Sequence, residues 1–240
     1  MFPLIAVAEH IAQARQMDDG SPMLPWSSFA DFFKSRVYDR RLVNRPFLTY
    51  YDDDRQLHCT YSYAEFGAVV ERTAAVLHDR MGLTLGDRIA TVLFNHDLAV
   101  ILYFAAWTRG IALVPINAEE PAEKKRYILE HSEASSVFCW HDYLNEIMSL
   151  QSALPALYHI VSVGDDGLCE GEWSEARDRR HRAPTASRFG PRTSSLDDEA
   201  LIVYTSGTTG PSKGVILTAY NPSSMPTPSR DGMRLGDMID

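Results

Sequence analysis

A chain of 240 residues, 45% hydrophobic, can form one large domain or two small ones and is apolar enough to build a core. Its net charge of −9 argues against a nucleic-acid partner, and no apolar run approaches the roughly 20 residues of a membrane span. Cys59, Cys139 and Cys169 are widely spaced and odd in number, which fits a reducing cytosol and gives no metal-ligand spacing.

Met1–Ala8 is apolar but follows no basic residue, so it is a poor signal peptide. Met1–Gln16 is compatible with a weakly amphipathic helix, and Asp18–Pro25 breaks it. Ser27 or Ser28 can cap a helix over Phe29–Tyr38, with Phe29, Phe32, Phe33 and Val37 on adjoining faces. Pro46–Tyr51 and Leu57–Tyr61 flank the polar Asp52–Gln56 and read as a β-hairpin. Ser62 and Glu65 fit a capping box that opens a helix over about Tyr63–Asp79. Its apolar stripe is Phe66, Val69, Val70, Thr73, Ala74 and Leu77, and Gly82 ends it. After the turn Leu85–Arg88, the nearly unbroken apolar run Ile89–Phe94 has the pattern of a strand buried on both faces. Asn95, His96 and Asp97 can cap the helix Leu98–Thr108, which is apolar nearly all round and so is expected to be covered on several sides.

Gly110 stops that helix, and Ala112–Pro115 is another short buried strand. Pro121 starts a charged helix through about Glu130. Ser136–Trp140 then reads as a strand, His141–Leu150 as a helix and Ile160–Val163 as a strand. This alternation predicts an α/β fold with a mostly parallel sheet flanked by helices. Gly164–Asp198 lacks an apolar period and reads as a long, partly mobile surface loop, in which Arg177–Arg182 is a solvated basic cluster.

The most informative stretch is Ile202–Val215. The buried strand Ala200–Tyr204 runs into five hydroxyl residues, three glycines, one proline and Lys213, and the apolar Val215–Leu217 follows. Glycine lets the backbone turn its amides inward, and successive inward N–H groups make an anion-binding concavity. Thr205, Ser206, Thr208 and Thr209 add hydroxyl donors, and Lys213 adds a compact positive charge, a combination suited to polyphosphate oxygens. A plain hairpin loop needs only one or two turn residues and leaves this lysine unexplained. A Walker loop is excluded, because Ser212 precedes Lys213 and Gly214 follows it, with a strand beyond. The eight histidines are scattered without ligand spacing and take structural roles by default. Asp52–Asp54 reads as a polar hairpin turn.

Tyr204-Thr-Ser-Gly-Thr-Thr-Gly-Pro-Ser-Lys-Gly214 resembles the signature loop of the adenylate-forming superfamily, which includes acyl-CoA synthetases, peptide-synthetase adenylation domains and firefly luciferase. Tyr61–Phe66, Gly86–Ala90, Asn95 and Arg109–Asn117 resemble its earlier segments in order and rough spacing, so the resemblance covers about Trp26–Asn221. Asn117 through Glu123 is more similar to acyl- or aryl-CoA synthetases than to peptide-synthetase domains, which usually carry a Tyr-Pro pair there. The resemblance implies that Thr205, Ser206, Gly207, Thr208, Thr209, Gly210 and Lys213 hold the β- and γ-phosphates of ATP, with Mg2+ shared between phosphates and coenzyme A as co-substrate. It implies ATP-dependent activation of a carboxylic acid, a fatty acid by family frequency, to an acyl-adenylate, then transfer to a thiol. No residue of the loop is expected to act as a nucleophile.

Departures from the pattern begin after the loop. Ala219 stands where relatives often have histidine, and Pro222–Asp240 has no apolar period and no family motif, so this tail is expected to be disordered. The expected organisation is an N-terminal helix and linker over 1–25, an incomplete large N-terminal domain of the adenylate-forming fold over 26–221, and the divergent tail over 222–240. The adenine-binding loop, the magnesium-site glutamate, the acyl pocket and the C-terminal domain with its adenylation lysine are not found. The alternatives are therefore a catalytically incompetent fragment that retains the phosphate loop, or an adenylation domain serving a carrier protein. A sheet cut midway is expected to be poorly stable and aggregation-prone. The expected location is cytoplasmic, with loose membrane association if the acid is long-chain.

Overall fold

The computed structural model describes residues 13, 15–17, 22–52, 57–164, 194–205 and 212–223. Helix α1 (Phe29–Val37) starts where Ser28 Oγ accepts from the Asp31 amide at 3.2 Å. Strands β1 (Pro46–Asp52) and β2 (Leu57–Ser62) form a separate antiparallel pair. The capping box forms as the sequence predicts. Ser62 Oγ accepts from the Glu65 amide, Glu65 accepts from the Ser62 amide at 2.8 Å, and helix α2 (Tyr63–Asp79) follows.

The main sheet is built from β3 (Arg88–Val92), β4 (Ala112–Pro115), β5 (Ser136–Trp140), β6 (His159–Val163), β7 (Glu199–Thr205) and β8 (Lys213–Thr218), in the order β6-β5-β3-β4-β7-β8. All neighbours run parallel except β7 and β8. Helices α3 (Asp97–Arg109), α4 (Ala122–Ser132) and α5 (Leu144–Gln151) connect or follow these strands, and α6 (Tyr220–Ser223) is a single turn after β8.

Alternate side chains of a strand point to opposite faces, so the sheet divides the apolar core in two. Ile89, Leu113 and Phe138 join α1, α2 and α3 in one cluster. Ala90, Val114, Val137 and Cys139 join Ile128 and Leu129 of α4 and Ile147 of α5 in the other. The all-round apolar character expected of α3 has a visible cause. Phe104 packs against Phe29, Phe33, Phe47 and Phe66, while Ile101, Leu102 and Ala105 are fully buried.

Several boundaries differ from expectation. Strand β3 ends at Val92, not Phe94, because its pairing ends at Thr91 opposite Pro115 and at Val92 opposite Cys139. Helix α4 starts at Ala122, with Pro121 as its cap, and runs on to Ser132, where Glu133 takes a left-handed φ of 51°. His141–Tyr143 is a 3₁₀ turn before α5. Lys125 of the charged helix α4 is 1% exposed, bonded to Glu146 at 2.9 Å and lying 4.2 Å over the Tyr143 ring. Pro222 and Ser223, placed in the tail by the sequence, lie in α6, and residues 224–240 lie outside the described residues, as do most of Met1–Gln16, residues 165–193 and Asp53–Gln56. Strand β8 is an edge, with Val215 and Ile216 about half exposed, the kind of strand that can pair with another chain.

Candidate functional site

Strands β7 and β8 form a hairpin whose last pairs are Tyr204 opposite Gly214 and Thr205 opposite Lys213. The hairpin and phosphate-loop readings are therefore not rivals. The hairpin brings Thr205 and the exposed Lys213 together at the mouth of the loop. Ser206, Gly207, Thr208, Thr209 and Gly210 lie outside the described residues. The mouth sits at the carboxyl end of β7, which is parallel to β4, and such ends are where open α/β sheets hold ligands.

Gly214 sits at a close approach. A Cβ there would lie 3.0 Å from Ile202 Cγ2 and 3.2 Å from Tyr204 Cζ. Its bare backbone lets the Tyr204 ring lie across the hairpin and cover the glycine. The ring's hydroxyl reaches His131 Nδ1 at 2.7 Å. Burial raises the Tyr204 pKa, the neighbouring Tyr127 adds to this and Arg88 opposes it, so the phenol keeps its proton at neutral pH. On the other stem, Tyr127 Oη donates to the Ser212 carbonyl at 2.9 Å. Tyr127 and His131 lie four residues apart, on one face of α4.

The base of β7 is held as firmly. The Arg88 guanidinium pairs with Glu199 at 2.9 Å and also donates to the Ser132 carbonyl at 2.9 Å. Trp107 Nε1–H donates to the Ala200 carbonyl at 2.7 Å, tying α3 to the same strand.

A second concavity, of about 520 Å3, lies between β1 and α3. Leu48, Tyr50, Val100, Tyr103 and Trp107 wall it, and His96 lines it with its imidazole 2% exposed. Among the described residues no group of three or more His, Cys, Asp or Glu could hold a metal ion.

The sequence reading placed His131 among structural histidines and gave Tyr127 no role. Their partners lie 73 and 85 residues away, and no local pattern signals such pairings. The one available hint was an aromatic and an imidazole at helical spacing within a charged segment.

A family model described as AMP-binding enzyme matches residues 36–231. The crotonobetaine/carnitine–CoA ligase of Salmonella paratyphi B is 32% identical over 164 residues, which is 67% of this chain and 31% of that protein. ATP-bound MatB from Rhodopseudomonas palustris superposes with a TM-score of 0.61 at 28% identity, over 80% of this chain and 35% of that one. The N-terminal domain of FACL13 from Mycobacterium tuberculosis shares the fold, with a TM-score of 0.63 at 24% identity over 81% of this chain and 45% of that domain. The chain thus spans about a third of the length of the curated relatives it matches. Among the described residues no helix is long and apolar enough to cross a membrane.

Proposed function

The chain belongs to the AMP-binding enzymes, and from that premise we propose that its β7–β8 loop holds the β- and γ-phosphates of ATP for the activation of a carboxylic acid. The observation that carries this reading is the pairing of Thr205 with Lys213 at the mouth of a loop made of glycine and hydroxyl residues. Thr205 and Lys213 would act with Ser206, Gly207, Thr208, Thr209 and Gly210. Lys213 serves as a point charge on the phosphate oxygens.

A carboxylate does not react with a thiol at neutral pH, because oxide is a very poor leaving group. Adenylation removes this barrier. A carboxylate oxygen bonds to the α-phosphorus, the bond from that phosphorus to the bridging oxygen breaks, and pyrophosphate leaves. Thiol sulfur then attacks the acyl carbonyl, the thiol proton passes to solvent, and AMP departs. The loop's part is to align the triphosphate and to stabilise the charge that gathers on the departing oxygens. Mg2+, when bound, neutralises phosphate charge; it takes oxygen ligands and keeps several waters, so it would travel with the phosphates.

Coenzyme A is the proposed acceptor, and a cytoplasmic location belongs to the same proposal. Acid-dependent ATP–pyrophosphate exchange by the protein purified from its native source tests it. The screen should include fatty acids, carnitine and crotonobetaine, with coenzyme A and a carrier-bound thiol compared as acceptors. Exchange with an acid of this set supports the reading. Mg·ATP binding with no exchange for any acid favours a phosphate-binding fragment without catalysis.

A further inference from the structure

We propose that Tyr127 and His131 of α4 are positioning residues that brace the phosphate loop from outside it. This rests on the reading of the loop as a triphosphate holder. The two hydrogen bonds reach one residue at each end of the loop. His131 holds Tyr204, the residue before Thr205, and Tyr127 holds Ser212, the residue before Lys213. Both bonds come from consecutive turns of one helix, so a single rigid element fixes both ends of the loop.

The anchor helix is itself immobilised. Ile128 and Leu129 are buried under the sheet, Lys125 is locked to Glu146, and the Ser132 carbonyl accepts from Arg88, which also grips Glu199 at the start of β7. The three rings, Tyr127, His131 and Tyr204, meet edge-on or tilted with centroids 5.5–6.4 Å apart, so they pack as one unit. The Gly214 gap is what lets Tyr204 reach that unit. A displacement of about 1 Å at a positioned group can cost about a hundredfold in rate. The brace sets the direction from which Lys213 meets the phosphates.

The test uses the full chain, with Tyr127→Phe, Lys213→Ala and the double variant, titrated with Mg2+ and inorganic tripolyphosphate. Tyr127→Phe keeps the ring and loses one hydrogen bond. It is expected to weaken tripolyphosphate binding about three- to tenfold in a protein that stays folded, with only a small fall in the unfolding midpoint. The same substitution in the Lys213→Ala background is expected to have a smaller effect, because Tyr127 acts through the loop that carries the lysine. An equal loss in both backgrounds, or no loss in either, overturns the proposal. If Lys213→Ala binds as tightly as wild type, the phosphate reading itself fails. Amide hydrogen exchange over residues 205–214 then judges the brace without a ligand: exchange at least about threefold faster in Tyr127→Phe, with β3–β5 unaffected, supports it. Unchanged exchange there overturns it.

Discussion

The Tyr61 hydroxyl donates to Asp97 Oδ2 across 2.6 Å, joining the β1–β2 hairpin to the first residue of α3. Both residues are 1% exposed, and Asp97 Oδ1 also lies 2.6 Å from His96 Nδ1. A carboxylate at a helix N-terminus is favoured by the helix dipole, but taking it out of water demands donors. Tyr61→Phe removes one donor and keeps the ring. It should cost about 1–3 kcal/mol in urea unfolding, and an unchanged midpoint would show the bond to be idle.

Lys125 and Glu146 make an asymmetric pair, since the lysine side chain is 1% exposed and the glutamate 34%. Removing the glutamate strands a buried ammonium, whereas replacing the lysine by an apolar side chain releases a partly hydrated carboxylate. Glu146→Ala should therefore destabilise more than Lys125→Met, by about 1–3 kcal/mol. Equal costs by denaturant titration would contradict this.

Gly110 ends α3 at φ 70°, and a Cβ there would lie 2.3 Å from Leu85 Cδ1. Leu85 is exposed and can swing aside, so backbone strain is the larger part of the cost of a side chain. Gly110→Ala should lower stability by about 1–2 kcal/mol, read as a fall in the melting midpoint.

Burial pushes the Cys139 thiol up from 9.0 to about 11, with its own backbone and Lys125 opposing. The unfolded chain ionises this thiol first. The stability it contributes is therefore fully present below pH 9 and is lost as pH rises from 9 through 11. Other groups titrate in that window, so the measure is the difference from Cys139→Ala. Wild-type stability should fall more steeply than the variant's above pH 9, and parallel curves would count against it.

Much of the fold was legible because local chemistry and burial agreed. The capping box at Ser62, the alternation of apolar runs with helical stripes, and the stop at Gly110 each have a local physical cause that survives in the structure. The proposed phosphate loop stands out in the sequence because its glycines, hydroxyls and lysine occupy one continuous stretch. What stayed hidden depends on distant partners. Lys125 is one of several charges in its segment, and only the fold brings Glu146 and Tyr143 over it. His96 and Asp97 read as cap residues, and the hairpin Tyr61 that completes their cluster lies 36 residues earlier. Tyr127 and His131 gain meaning only when the sheet brings β7 and β8 beside α4.

Calorimetric titration of Mg·ATP into the chain, beside Lys213→Ala, tests the phosphate loop most directly. Lys213 is exposed at the start of an edge strand, so its loss should leave the unfolding midpoint unchanged. Saturable binding by the wild type, weakened about tenfold or more in Lys213→Ala, is the expected result. Equal affinity in the two proteins, or no binding by a folded wild-type chain, would contradict the assignment.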